Sequence, residues 1–264
     1  MEHGAITKTA QGFVEARKNN VALPDYPGER PTTLAYAYAV QDASLALWDK
    51  PIGGWKVGRV NPPEEGRLGI NRLAGPIFAE TIFESGAVPV EMPIFSDGFG
   101  AVEAEFMVRL APPQGGRPLP RTDAETIEWV SDIRIGIEIA SSPYSRINEE
   151  GPLVTISDHG NNFGLILGQQ VPRGQWSNLS DIEVTVDIDG EQAGCATTAQ
   201  MLDGPLGAVR FLLENMADRA IERQDGWWIS TGAVTGVHQI SAGQSAQARF
   251  AGIGSVDCII SAVP

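Results

Sequence analysis

The chain has 264 residues, enough to bury a sizeable core as one large domain or as a domain with a smaller appendage. Its formal net charge of −14 argues against nucleic acid and anionic membranes as partners, because both would repel it at long range. It has two cysteines, a polar N-terminus and no apolar run of about 18 residues, so we expect a cytoplasmic protein without a membrane span or signal peptide.

Helical periodicity characterises the first fifty residues. Apolar positions and one arginine recur at helical spacing between residues 6 and 19: Ile6, Ala10, Phe13, Val14 and Arg17. A second helix is predicted over 34–48, opened by Thr32-Thr33. We therefore predict an N-terminal helical region at 1–50 and a β-rich domain at 51–264.

Short β-rich runs separated by glycine and proline fill the rest of the chain. They predict strands at 55–57, 102–110, 133–140, 164–168, 182–188, 227–230, 246–250 and 256–262. Asp189-Gly190 predicts a hairpin turn, and an amphipathic helix is predicted over 205–223. This pattern indicates an α+β fold whose mixed, mainly antiparallel sheets carry packed helices.

Three glutamates on two of these strands are the main candidates for chemistry. Glu103 and Glu105 alternate within 102–110, so both carboxylates point to one face, and Glu138 lies late in the apolar run 133–140. Such a set suits Mg²⁺ or Mn²⁺, which prefer oxygen ligands. A solvated strand face also carries paired glutamates, so the pattern leaves both interpretations open. A zinc site is disfavoured, because the three histidines and two cysteines lack zinc-ligand spacing.

Lys56 is the last lysine of the chain and lies in the glycine-flanked apolar segment Gly53-Gly-Trp-Lys-Val-Gly58. Burial could lower the pKa of this amine and suit it to proton transfer, or the ammonium could hold an anionic substrate. A lysine at a strand edge that extends to water is the structural alternative.

Motifs along the chain resemble, in order and spacing, the 2-keto-4-pentenoate hydratase and 4-oxalocrotonate decarboxylase family of the fumarylacetoacetate hydrolase superfamily. They are Gly54-Trp-Lys-Val-Gly58, Gly75-Pro-Ile-Phe-Ala-Glu80, Val102-Glu-Ala-Glu-Phe106, Ile137-Glu-Ile-Ala-Ser141, Ser157-Asp-His-Gly-Asn-Asn-Phe-Gly164 and Ser230-Thr-Gly-Ala233. The resemblance covers nearly the whole chain. It implies a fumarylacetoacetate-hydrolase-like fold, with 51–264 as the catalytic domain, and a homo-oligomer.

The same resemblance implies roles for individual residues. Glu103, Glu105 and Glu138 would hold Mg²⁺ or Mn²⁺, and the catalytic residues would be Lys56, Glu80 and Asp158. The residues implied for substrate binding are Ser141, Asn162, Thr231 and Gly232, to which we add Arg59 because an arginine there could bind a distal carboxylate. A surface arginine is the alternative for Arg59.

The activity implied is that of a metal-dependent lyase on a small 2-oxo or 2-hydroxy-dienoic acid. We expect a hydratase that adds water to a 2-hydroxy-2,4-dienoate and gives a 4-hydroxy-2-oxo acid, as in meta-cleavage catabolism of aromatic compounds. A decarboxylase of a 4-oxalocrotonate-type acid is the first alternative. Gly204 replaces a histidine common in relatives, Glu80 replaces aspartate and His159 replaces asparagine, which puts the substrate in doubt.

Two further alternatives stay open. A carbon–carbon hydrolase of acylpyruvates would need a histidine–glutamate pair, and Glu64 and Glu65 lack an evident histidine partner. A catalytically silent binding homologue is disfavoured, because buried acids without a function are costly.

Overall fold

The structure, a computed structural model, describes residues 2–263. Helices within that range are α1 (Glu2–Lys18), α2 (Leu34–Trp48), α3 (Glu64–Leu68), α4 (Asp123–Ile127), α5 (Pro152–Ser157) and α6 (Gly204–Asp218). None of the helices in the described range is long and apolar enough to cross a membrane.

Strands dominate the remainder of the described chain. In order they are β1 (Ile52–Arg59), β2 (Arg72–Phe78), β3 (Ile82–Glu84), β4 (Val90–Ile94), β5 (Phe99–Leu110), β6 (Val130–Ser142), β7 (Asn162–Gln170), β8 (Glu183–Ile188), β9 (Glu191–Thr197), β10 (Trp228–Ser230), β11 (His238–Gln239), β12 (Ser245–Phe250) and β13 (Gly254–Ala262). They form two sheets with helices packed on them.

The larger sheet has the order β2-β1-β10-β5-β6-β7-β3, with β11 paired to β5, and the smaller has the order β4-β13-β12-β8-β9. Pairs β1/β10, β3/β7 and β4/β13 are parallel, and the others are antiparallel. The mixed, mainly antiparallel architecture predicted from the sequence is therefore confirmed.

The long strands β5 and β6 form the centre of the larger sheet. One face of each carries alternating apolar side chains, such as Val102, Phe106, Ile135 and Ile139, which join the main hydrophobic core. That core continues between the sheets and under α6, where Leu212 and Leu213 are fully buried. Because both strands are long and paired on both sides, they give side chains on their other face fixed positions.

The N-terminal helices pack closely on the β-rich part. Phe13 of α1 lies in a buried cluster with Tyr26, Phe99 and Tyr144, and Ala37 of α2 lies in another with Leu73. Residues 1–50 therefore share hydrophobic clusters with the rest of the chain, and their separation as a distinct unit stays a prediction.

Some element boundaries differ from the expectations. The last helix was expected over 205–223 but ends at Asp218, because Ala220 takes a left-handed conformation with φ 54° and breaks the helical ladder. Strands β2, β3, β4 and β11 and helices α3 to α5 are additional to the prediction. Helix α4 has a capping box between Thr122 and Glu125, a signal that the sequence carries.

Candidate metal centre

Three carboxyl groups converge at the centre of the larger sheet. Glu103 on β5 pairs directly with Glu138 on β6, and Glu105 follows two residues later on the same face. One carboxylate oxygen from each lies within 4.8 Å of the others, and all three residues are buried. The structure thus brings together the three predicted metal ligands.

Neighbouring residues fix the orientation of two of these carboxylates. Glu105 Oε2 accepts hydrogen bonds from Ser230 Oγ at 2.5 Å and from the Gly232 amide at 2.7 Å. Glu138 Oε1 accepts one from Asn162 Nδ2 at 3.0 Å. In the described part of the chain, Glu105 Oε1 and Glu138 Oε2 have no hydrogen-bond partner although they are buried.

Lys56 lies against this cluster. Its ammonium Nζ is 3.1 Å from Glu138 Oε1 and 3.4 Å from Asn161 Oδ1, and the residue is 4% exposed. Burial lowers the pKa of Lys56, but the charges of Glu138, Glu103 and Glu105 more than offset this, so its pKa lies above the ordinary value. The lowered lysine pKa considered from the sequence is therefore wrong for this arrangement, and Lys56 is a charged ammonium.

Burial lowers the pKa of a lysine but raises the pKa of a carboxyl group. It raises the pKa of Glu103 to about 7, despite the nearby Lys56, and it raises the pKa of Glu105 well above its usual value, with Glu138 adding to the rise. Three carboxylates and one ammonium carry a formal charge of −2 when all are ionised. Buried oxygens without a partner, an oxygen-only donor set and this charge all fit a hard divalent cation.

A cavity of about 880 Å³ opens beside Lys56 and Glu103. Its walls come from β1 and from the segments 148–155, 195–202 and 231–237. Arg59 is exposed at the cavity, and its strand partner Arg72 lines the cavity while only 7% exposed. Two cationic side chains therefore lie in the wall of a cavity whose inner end is the acidic cluster.

The structure brings several predicted substrate residues to this place. Thr231 and Gly232 line the cavity, and the Gly232 amide donates to a proposed metal ligand. The Thr231 hydroxyl donates a hydrogen bond to the Phe106 carbonyl, and this contact fixes the segment after β10. Asn162 donates to Glu138 and does not line the cavity, so it orients a proposed metal ligand.

Three other predicted site residues lie elsewhere. Glu80 is about half exposed in a 3₁₀ turn and forms an ion pair with Lys50, with 2.8 Å between Nζ and Oε2. Asp158 is fully buried with its carboxylate bound by Arg17, and Ser141 donates to the Phe99 carbonyl at 2.6 Å. None of the three lines the cavity, so the predicted roles of Glu80, Asp158 and Ser141 stay predictions.

Reasoning from the sequence missed other residues of the site. Asn161 accepts from Lys56, Ser230 donates to Glu105, and Arg72 lies in the cavity wall. Ser230 and Asn161 directly adjoin predicted residues, so the motifs already pointed to their segments. His159 is buried, and burial lowers its pKa to about 3, so it is a neutral packing residue.

Comparison with solved structures identifies this arrangement of sheets. 4-Oxalocrotonate decarboxylase from Pseudomonas putida G7, complexed with calcium and acetate, superposes with a TM-score of 0.79 at 22% identity, and 97% of each chain is covered. The chain has the fold of that enzyme. The same enzyme is also known complexed with magnesium and adipate, again with a TM-score of 0.79 and 97% coverage of each chain, at 21% identity.

A more distant similarity extends to another enzyme solved with a metal. Fumarylpyruvate hydrolase from Pseudomonas aeruginosa, in complex with Mn²⁺ and pyruvate, has a TM-score of 0.57 at 16% identity, covering 79% of this chain and 89% of that one. The fumarylacetoacetate-hydrolase-like fold expected from the sequence is thus confirmed.

Similarity at the sequence level is weaker but points the same way. The chain is 26% identical over 125 residues to 4-oxalocrotonate decarboxylase from Pseudomonas putida, which is 46% of this chain and 45% of that protein. The aligned region therefore spans less than half of that relative. No family model matches the chain. The resemblance recognised from the motifs is confirmed by these comparisons.

Proposed function

We propose that this protein is a divalent-cation-dependent enzyme acting on a small 2-oxo acid with a second carboxylate. The observation that carries the proposal is the buried cluster of Glu103, Glu105 and Glu138, whose formal charge is only partly offset by Lys56, at the inner end of a cavity. Such a cluster is costly to bury unless a cation neutralises it. Mg²⁺ and Mn²⁺ suit its ligands, and relatives with this fold bind calcium, magnesium or manganese.

The protein's own residues supply the remaining functions. A bound divalent cation would act as a Lewis acid toward the 2-oxo group and its neighbouring carboxylate. Lys56, charged and directed at Glu138, can hold the substrate carboxylate or deliver a proton to carbon. Ser230 and Gly232 keep Glu105 oriented, and Thr231 forms the adjoining wall of the cavity.

Decarboxylation is the reaction we favour. In it the bond between the distal carboxyl carbon and its neighbour breaks, carbon dioxide leaves, and the electron pair enters the conjugated 2-oxo system. A proton then returns to carbon. Arg59, exposed at the cavity, favours a dicarboxylic substrate, whereas Arg72 already donates to the Leu202 carbonyl and forms an ion pair with Asp203. Both comparisons at 97% coverage are with a decarboxylase.

Hydration of a 2-hydroxy-2,4-dienoate, the first expectation from the sequence, uses the same acidic cluster and Lys56. Hydration becomes the second candidate, because it gives no role to Arg59 at the cavity. The acylpyruvate hydrolase loses support, since Glu64 is paired with Arg67 and no histidine is among the described residues that line the cavity.

The deciding experiment offers the full chain, with and without Mg²⁺, a 4-oxalocrotonate-type acid and 2-hydroxypenta-2,4-dienoate in parallel NMR assays. Mg²⁺-dependent release of carbon dioxide from the first supports the proposal. A 4-hydroxy-2-oxo product from the second would establish the hydratase instead. Absence of metal binding in calorimetry would overturn the metal centre and favour a catalytically silent homologue.

Assembly and location are predicted from the sequence. A homo-oligomer is implied by the family resemblance, and a cytoplasmic location by composition. Both stay predictions, which analytical ultracentrifugation and cell fractionation would test.

A further inference from the structure

A buried ion pair joins the N-terminal helix to the segment beside the acidic cluster. Arg17 of α1 and Asp158 form two hydrogen bonds, Nε to Oδ1 at 2.6 Å and Nη2 to Oδ2 at 2.8 Å. Arg17 is 5% exposed and Asp158 is fully buried. Ser142 Oγ donates to the same carboxylate at 2.6 Å, so Asp158 is held from two sides.

Arg17 also binds backbone on both sides of that segment. Its Nη2 donates to the Ser141 carbonyl at 3.1 Å, and its Nη1 donates to the Asn162 carbonyl at 3.4 Å. A single guanidinium therefore connects the end of β6, the start of β7 and the Asp158 carboxylate. The planar fork of arginine is suited to such multiple contacts, whereas a lysine ammonium cannot reproduce them all.

The segment held in this way has an unfavourable backbone. His159, Gly160 and Asn161 take positive φ angles of 55°, 66° and 58° in succession. Left-handed conformations at residues other than glycine persist when surrounding contacts enforce them. Arg17 supplies one of these contacts, and Ser44 supplies another through a hydrogen bond of 2.7 Å to His159 Nε2.

This strained segment carries two side chains to the proposed site. Asn161 Oδ1 accepts from Lys56 at 3.4 Å, and Asn162 Nδ2 donates to Glu138 at 3.0 Å. A Cβ on Gly160 would lie 3.0 Å from Lys56 Cδ, so the backbone itself packs on the lysine stem. The segment thus contacts both the Lys56 side chain and the Glu138 carboxylate.

We infer that Arg17 is a positioning residue for the metal centre. By pairing with Asp158 it holds segment 158–162, including the left-handed residues 159–161, and Asn162 in turn orients Glu138 for metal binding. The inference rests on the proposed metal site, and it gives the N-terminal helix a part in that site. Residues that orient metal ligands commonly contribute about 10-fold to 100-fold in affinity.

The test is Mn²⁺ binding by the full-length protein, measured by isothermal titration calorimetry with thermal unfolding in parallel. Arg17→Met should weaken Mn²⁺ binding by about 10-fold or more, and Arg17→Lys should restore part of the affinity. The matched control is Phe13→Leu, one helical turn earlier on α1 and fully buried in the apolar cluster with Tyr26, Phe99 and Tyr144. It should lower the unfolding temperature with Mn²⁺ affinity unchanged.

If Arg17→Met does not fold, Asp158→Asn carries the test, because it keeps the shape of the carboxylate and removes its charge. Unchanged Mn²⁺ affinity in every folded Arg17 and Asp158 variant would overturn the inference and leave the proposed function standing. Equal weakening in Phe13→Leu would also overturn it, since general destabilisation would then be the cause. Wild-type protein that binds no Mn²⁺ would overturn the proposed function itself, and this inference with it.

Discussion

Replacing Glu103 by glutamine is expected to stabilise the EDTA-treated protein at pH 8, although Glu103 is a proposed metal ligand. Burial raises the pKa of Glu103 from 4.5 to about 7. Between pH 4.5 and about pH 7, the folded protein therefore keeps a proton on Glu103 that the unfolded chain has already released. The contribution of this proton to the free energy of unfolding is fully present below pH 4.5 and is lost as the pH rises through about 7.

The size of the effect follows from the difference between the two pKa values. A pKa that moves from 4.5 to about 7 corresponds to about 3 kcal/mol lost at pH 8. Glutamine does not titrate, so Glu103→Gln avoids this loss. At pH 5 the wild type and the variant should differ little, and at pH 8 the variant should be more stable by up to about 3 kcal/mol without metal.

Urea unfolding followed by circular dichroism, at pH 5 to 8.5 with EDTA or with Mg²⁺, measures this difference. Mg²⁺ at about 100 times its dissociation constant should stabilise the wild type by about 2.7 kcal/mol and leave Glu103→Gln unaffected. Glu91→Gln, on an exposed position of β4, is the control for removal of one charge. Parallel pH profiles for wild type and Glu103→Gln in EDTA would refute the reasoning.

Other variants test the assignment of roles in the proposed site. Glu138→Gln should reduce Mg²⁺-dependent turnover by at least about 100-fold, because it removes a ligand and the partner of Lys56; steady-state kinetics would measure this. Lys56→Met should lower kcat by about 100-fold or more, and an effect on stability alone would make Lys56 a packing residue. Arg59→Ala should raise KM about 10-fold for dicarboxylic acids and little for monocarboxylic ones; equal losses would contradict a role in carboxylate binding. Glu80→Gln should leave kcat/KM unchanged, because Glu80 is an exposed partner of Lys50.

Local pattern was sufficient to find the proposed metal ligands. Alternation along β5 placed Glu103 and Glu105 on one face, and this depends only on neighbouring residues. Glu138 was found as an acid in an apolar run, but its pairing opposite Glu103 depends on strand register. The sequence alone does not specify that long-range pairing, so the convergence of the three became evident only in the structure.

Distant partners explain why some predicted site residues lie away from the cavity. Asp158 matched a motif, yet its carboxylate is bound by Arg17, which is 141 residues away in the sequence. A buried acid paired with an arginine and a catalytic acid look alike in a single sequence. The sequence carried one signal of this partner. Arg17 lies at helical spacing from the apolar positions of α1, and a charge buried on that face is costly unless it is paired.

The two ends of the cavity belong to different kinds of structure. The acidic cluster stands on the interior of paired strands, whereas segments 195–202 and 231–237 in the outer wall include chain that connects strands. Connecting segments tolerate insertion and replacement far better than central strands. Changes in the parts of these segments that do not contact Glu105, 198–202 and 233–237, are therefore expected to alter which acid the proposed site accepts while its metal affinity stays constant. Libraries confined to 198–202 and 233–237 offer the same route to new substrates in the laboratory.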